Sequence, residues 1–275
     1  MYKYLKRSIH RKIARRYTRE YPATINNYEL EKDGTIQFAQ WENPLAPPSS
    51  INQEMVAFFR QFIKKGDLAI DIGANIGDTT VPMGLAAGAD GLTLGFDPNP
   101  FVFKILEINS SLNKQKTNIV PLRYAITVEE DEFYFISSEA SFANGGISKT
   151  KDSRHGKYVF PGKVRGVNLM GYLTENYESW LSRLSFIKVD AEGYDKEIIK
   201  SISELVKKYK PVLVAESFGK SSDVEKYELY DVIRSLGYRI WYFADFDINA
   251  EVSELKSRND ILTYKETVNL YAVPE

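Results

Sequence analysis

Apolar residues along this chain fall into short runs that alternate with helical patterns, and glycine, proline or a pair of polar residues closes most of them. Five runs read as strands with apolar interiors: Leu68–Ile72, Leu92–Phe96, Ile119–Ile126, Phe186–Ala191 and Val212–Glu216. Helical spacing falls between them, over Ile51–Ile63, Thr79–Ala87, Phe101–Leu112, Lys196–Lys208 and Asp223–Leu236. Ser50 and Gln53 have the spacing of a capping box for the first of these, and Asp78-Thr79-Thr80 offers an N-cap for the second. Strand and helix in alternation with short connections predict an α/β fold, a parallel sheet with helices on both faces. Two later runs, Tyr238–Phe243 and Thr267–Val273, supply the last strands, and Glu132–Ile136 an added one.

The ends of this pattern are different. Tyr2, Leu5, Ile9, Ile13 and Tyr17 follow at intervals of three and four, one stripe of a helix whose other faces are basic. Tyr28–Leu30 and Thr35–Phe38 read as a small hairpin about Asp33-Gly34, and a proline- and serine-rich linker runs from Asn43 to Ser50. We therefore expect an extension over residues 1–49 and a catalytic domain over 50–275. Between Ser137 and Lys163 the chain is polar and glycine-containing, including Asn144-Gly145-Gly146 and Arg154-His155-Gly156. A loop of that length is expected to act as a lid or to bind an acceptor.

Composition changes the picture in two ways. Hydrophobic residues make up 43% and charged residues 27%, as in ordinary globular proteins, and the absence of cysteine excludes disulfides and thiolate metal sites. With no apolar run long enough for a bilayer and no apolar core of a signal peptide, a cytoplasmic enzyme is the plain expectation. The net charge of −1 hides an asymmetry: residues 1–20 hold eight Lys or Arg against Glu20, so the remainder carries −8. Such an arm could lie on an anionic membrane, as peripheral contact. The preferred expectation is that its stripe packs on the body or on a second subunit of a homo-oligomer. No nucleic-acid partner is expected, because no aromatic or glycine pattern of such modules accompanies the charge.

The chemistry concentrates where apolar runs stop. After Leu68-Ala69-Ile70-Asp71-Ile72 the loop reads Gly73-Ala74-Asn75-Ile76-Gly77, with glycines and an asparagine where the backbone must turn tightly under a ligand. A dinucleotide fold has Gly-x-Gly-x-x-Gly here; this loop instead carries Asp71 two residues before the first glycine, which repels a pyrophosphate and suits an ammonium or sulfonium. The second strand ends in Asp97-Pro98-Asn99-Pro100, an acid placed to accept two hydrogen bonds from a ribose diol. Adenosine with a cationic tail fits both. In Phe186-Ile187-Lys188-Val189-Asp190-Ala191-Glu192-Gly193, alternation puts Lys188, Asp190 and Glu192 on one face of a central strand, where ionisable groups need partners or a ligand.

Taken together, Leu68–Asp78, Gly95–Pro100 and Ile187–Gly193 resemble the FkbM family of S-adenosylmethionine-dependent methyltransferases, over about residues 51–275. The resemblance implies a Rossmann-like sheet of seven strands, the last antiparallel, with S-adenosylmethionine as cofactor and O-methylation of a hydroxyl on a sugar, glycan or natural-product acceptor. It implies that Asp71, Gly73 and Asn75, with Ala74 and Gly77 of the same loop, surround the methionine part. Asp97 would hold the ribose, with Asn99 beside it. Lys188, Asp190 and Glu192 fall on the family's Lys-x-Asp-x-Glu-Gly motif. Where the family carries Thr-Leu-Asp, this chain has Asn168-Leu169-Met170.

Methyl transfer to a hydroxyl needs an in-line oxygen and help in losing its proton. Asp190 is the first candidate base, with Glu192 as a like-charged neighbour that makes it a better proton acceptor. Lys188 could stabilise the carboxylate or orient the acceptor, and His155 on the long loop is the rival base. Asp190 and Glu216, at the ends of two strands, could instead hold a divalent cation. A nicotinamide-dependent oxidoreductase and a non-catalytic membrane-associated protein are the alternatives from other classes.

Overall fold

A computed structural model of the protein describes residues 2–153, 155–191 and 193–275, with the side chains of the first helix from Arg7 onward. Met1, Arg154 and Glu192 lie outside the described residues.

The chain runs α1 (Tyr2–Ala14), β1 (Ala23–Leu30), β2 (Gly34–Trp41), α2 (Gln53–Arg60), β3 (Leu68–Ile72), α3 (Thr80–Ala87), β4 (Leu92–Phe96), α4 (Val102–Leu112), β5 (Ile119–Leu122), β6 (Tyr124–Ile126), β7 (Asp131–Ser137), β8 (Gly146–Ser148), β9 (Tyr158–Val167), α5 (Leu169–Tyr177), β10 (Leu184–Val189), α6 (Asp195–Ser201), α7 (Ser203–Tyr209), β11 (Val212–Ser217), α8 (Asp223–Ser235), β12 (Tyr238–Phe243), β13 (Val252–Leu255) and β14 (Val268–Pro274). The main sheet has the order β13-β12-β14-β11-β10-β3-β4-β5. β3, β4, β5, β10 and β11 are parallel, and β14 runs antiparallel to both β11 and β12. This is the expected Rossmann-like arrangement with a reversed last strand, extended at one edge by the short β13.

β3 and β4 are buried at every position, which is why both read as mostly apolar runs, with Asp71 and Thr93 as the polar exceptions. The chain moves from β3 outward to β4 and β5, then returns to lay β10 on the other side of β3. That reversal opens a crevice at the carboxyl ends of β3 and β10, where open α/β sheets bind ligands. α3 is apolar on all sides and buried throughout, so it packs as a core helix. Phe58 stacks on Phe243 and Phe59 on Phe246, and Phe59 meets Phe186 edge to face, locking that helix over β10 and β12.

Several local expectations are corrected. The N-cap of α2 is Asn52, whose side chain accepts from the Met55 amide, and not Ser50. α3 has no side-chain cap, because the Thr79 and Thr80 hydroxyls are turned inward to Asp71. The run Ile119–Ile126 breaks at Arg123, β5 joining the main sheet and β6 leaving for a second, four-stranded sheet of order β6-β9-β7-β8. Part of the presumed loop 137–163 belongs to that second sheet, as β8 and the first half of β9. Asn168, in the position that departs from the family's pattern, caps α5 by accepting from the Gly171 amide.

The hairpin is longer than its sequence pattern suggests and shares a core with the body: Leu30, Ile36, Phe38 and Trp41 pack with Val81, Leu85, Val102 and Ile105. Asn109 of α4 fixes it by accepting from the Ala39 amide at 2.6 Å and donating to the Ala39 carbonyl at 3.1 Å. α1 makes less contact. Ala14 is fully buried and Ile13 half-buried, yet Ile9 is 54% and Tyr17 66% exposed, so these two members of the apolar stripe do not pack on the body; the side chains of Tyr2 and Leu5 lie outside the described residues.

Candidate active site

The loop after β3 is shaped by its backbone. Gly73, Asn75 and Gly77 all have positive φ, at 78°, 47° and 97°. A Cβ on Gly73 would lie 1.9 Å from the Asp190 carbonyl oxygen, so only glycine lets the loops after β3 and β10 meet. The amides of Gly73 and Ala74 both donate to the Phe96 carbonyl, at 2.9 and 3.0 Å, and tie this loop to the end of β4 as well.

Asp97 stands at that junction. One carboxylate oxygen accepts from the Asn75 amide and the other from the Asn99 amide, each at 2.8 Å. Each oxygen keeps lone-pair capacity for a second donor. Burial pushes the carboxyl up to about 7, against the two amides, which favour the charged form. Asn99 in turn donates from its side chain to the Phe142 carbonyl at 2.8 Å, joining the loop after β4 to the second sheet's connection.

Beneath the loop lies a buried charge cluster. Lys188 is opposite Asp71 in the pairing of β10 with β3, and its ammonium is 3.2 Å from both Asp71 and Asp190. Asp71 also accepts from Thr79 and Thr80 at 2.8 and 2.7 Å. Burial works against the Lys188 charge, but Asp190, Asp71 and Asp78 outweigh it and hold the ammonium above the ordinary lysine range. Lys188 is 4% exposed and Asp71 fully buried, whereas Asp190 is 40% exposed.

These elements surround one cavity of about 970 Å³. Of the residues singled out in the sequence, Gly73, Asn75, Asp97, Asn99, His155, Lys188, Asp190 and Glu216 line it. Asp71, Ala74 and Gly77 are buried behind its wall. Asp71 thus meets Lys188 and two hydroxyls where the sequence suggested a cationic ligand. Glu192 is outside the described residues. Asp190 and Glu216 bring two carboxylates to neighbouring strand ends, but among the described residues no group of three or more His, Cys, Asp or Glu gathers to hold a metal ion.

The second sheet supplies walls of which the sequence reading singled out only the stretch after Ser137. Tyr124–Val128, Phe133, Phe135 and Asn144–Lys149 line the cavity, and His155 lies across Gly146, where a Cβ would meet its ring at 2.4 Å. Asp195 is the other residue not anticipated. Its carboxylate accepts from the Ala191 amide at 3.3 Å and the Glu216 amide at 3.0 Å, clamping the ends of β10 and β11, and burial pushes it up to about 7. An acid opening a helix after Gly193-Tyr194 was the available signal. Asp195→Ala should free both strand ends, with a loss of about 2 kcal/mol in urea unfolding, while Asp195→Asn, which keeps one acceptor, should lose less.

The family model of the methyltransferase FkbM domain matches residues 71–240. The chain belongs to the FkbM family of S-adenosylmethionine-dependent methyltransferases. That excludes the oxidoreductase reading. Hexuronic acid methyltransferase AglP of Haloferax volcanii is 25% identical over 162 residues, spanning 59% of this chain and 61% of AglP, so the match covers under two thirds of that relative. Among solved structures, a methyltransferase FkbM from Methylobacillus flagellatus KT aligns at 12% identity over 79% of this chain and 50% of its own, with a TM-score of 0.45. A SAM-dependent O-methyltransferase from Thermotoga maritima aligns at 10% identity over 92% and 78%, with a TM-score of 0.43. In this FkbM chain no described helix is long and apolar enough to cross a membrane.

Proposed function

We propose that this protein methylates a hydroxyl group of a sugar, glycan or related natural product. The carrying observation is that Asp97 and Asp190, at the carboxyl ends of β4 and β10, line the same cavity. The cavity's donor set fits S-adenosylmethionine: Asp97 has open lone pairs for a vicinal diol, and the carboxylates of Asp78 and Asp190 complement a cation. When bound, the cofactor supplies an electrophilic methyl group on a sulfonium. The chain's own part is positional and electrostatic. Asp97 accepts from the ribose hydroxyls, and Asn75 presents its backbone beside them.

Lys188 fixes the Asp190 carboxylate from below, and Asp190 takes the proton of the acceptor hydroxyl as the oxygen attacks. The second sheet, with Phe133, Phe135 and His155, forms the acceptor side and excludes water from the reacting oxygen. A sugar acceptor is supported by AglP, named for hexuronic acid. The test is methyl transfer from labelled cofactor to a panel of uronic acids and neutral sugars. Asp190→Asn should lower kcat by roughly 100-fold or more with the affinity for S-adenosylhomocysteine within about twofold. His155→Ala should act mainly on the acceptor's KM. A product whose methyl group is released by mild alkali would be an ester, and would overturn the hydroxyl assignment.

A further inference from the structure

The function above does not use the basic arm, and the arm's geometry points to a lipid partner. We propose that α1 and the residues after it dock on an anionic phospholipid surface. From Arg7 to Arg19 the chain carries Arg7, Arg11, Lys12, Arg15, Arg16 and Arg19 with no acid. All six are exposed. Within the same stretch Ile9 is 54% and Tyr17 66% exposed, and Ile13 between them is half-buried. Tyr2 and Leu5 continue that spacing in sequence.

A helix that buried its stripe on its own body would turn Ile9 inward; this one instead seats the small Ala14 in the core. The Arg15 carbonyl accepts from the Ala140 amide at 3.2 Å, and the Arg15 guanidinium lies 3.5 Å from Glu139. The root of the helix is therefore fixed while Ile9 and, just past the helix, Tyr17 face water. Exposed apolar side chains interleaved with exposed cations match the interfacial plane of an acidic bilayer, where the rings and aliphatic chains enter the acyl boundary and the cations meet lipid phosphates. The body, carrying −8, would be repelled from such a surface, so the arm sets the orientation of approach.

The anchoring segment also leads to the cavity. Glu139 and Ala140 hold the arm, Phe142 accepts from Asn99, and Asn144 lines the cavity wall. At 1.5 Å per residue the thirteen residues of α1 reach only roughly 20 Å, so lipid binding would hold that wall close to the membrane.

The experiment is sedimentation of the full chain with vesicles of phosphatidylcholine alone, and of phosphatidylcholine with about one third phosphatidylglycerol, at physiological and high salt. S-adenosylhomocysteine binding serves as the check that each variant is folded. Binding should appear with the acidic vesicles only and weaken with salt. Both Ile9→Asp with Tyr17→Asp and Arg7→Glu with Arg11→Glu should reduce it at least tenfold while leaving S-adenosylhomocysteine binding unchanged. Failure of the folded protein to bind acidic vesicles, or equal binding to neutral ones, would overturn the proposal. Tighter binding to duplex RNA would reassign the charges. A dimer that Ile9→Asp dissociates without loss of vesicle binding would give the stripe to a second copy of the chain.

Discussion

Lys188→Met should cost the fold about 3–5 kcal/mol and lower the melting temperature by roughly 10 °C. The ammonium it removes is the one cation within salt-bridge distance of Asp71 among the described residues, and Asp71 is fully buried. Without it, a carboxylate remains in the interior with only the Thr79 and Thr80 hydroxyls as donors. Removing one member of a buried pair is far more damaging than removing both, because the remaining charge keeps its desolvation penalty and loses its partner. Lys188→Met combined with Asp71→Asn should therefore be more stable than Lys188→Met alone. Thermal and urea unfolding of the four proteins in this cycle would decide it, and a double variant no better than the single one would show that the pair is not what holds β3 against β10. Activity should fall in every case, since Lys188 also fixes Asp190.

That cluster shows what could be read from the sequence. The three stretches at strand ends were legible because central strands are mostly apolar, so the few ionisable residues and the glycines at their ends stand out. The partnership of Asp71 was not. Lys188 is 117 residues away in sequence, and only the pairing of β10 beside β3 sets the two side chains opposite one another. An acid before a glycine loop looks the same in sequence whether it greets a ligand or a lysine.

The second sheet escaped for a different reason. β8 and the first half of β9 are half-buried and interrupted by glycine and lysine, so neither alternation nor an apolar run marks them. Their place is fixed by partners such as β7, with Phe135 opposite Ile147. In the arm, periodicity predicted the helix but not its seating, because a single small residue, Ala14, decides which side meets the body.

Asp97→Asn should weaken S-adenosylhomocysteine binding roughly 100-fold, the loss of two charge-assisted hydrogen bonds. Asparagine is nearly isosteric, but it has one acceptor oxygen where the Asn75 and Asn99 amides require two, and its own NH₂ would face one of them. The same carboxyl sets a pH dependence. Burial raises it to about 7 in the free protein, from about 3.9 in an unfolded chain. The native state thus holds its proton longer than the unfolded state, so this group's contribution to stability falls as pH rises from about 4 to about 7 and is level above that.

Ligand binding runs the other way. A ribose diol donates to the ionised carboxylate, so below about 7 binding must release the Asp97 proton, and affinity should climb up to tenfold per pH unit before reaching a plateau. Asp195 titrates in the same range and adds to the stability slope, but it contacts the backbone of β10 and β11 and not the diol-binding carboxylate. Calorimetry in two buffers of different ionisation heat separates them: proton release on binding should be present in the native protein and absent in Asp97→Asn. An affinity that is flat with pH and unchanged by the substitution would place the ribose elsewhere in the cavity and leave Asp97 as a clamp between the loops after β3 and β4.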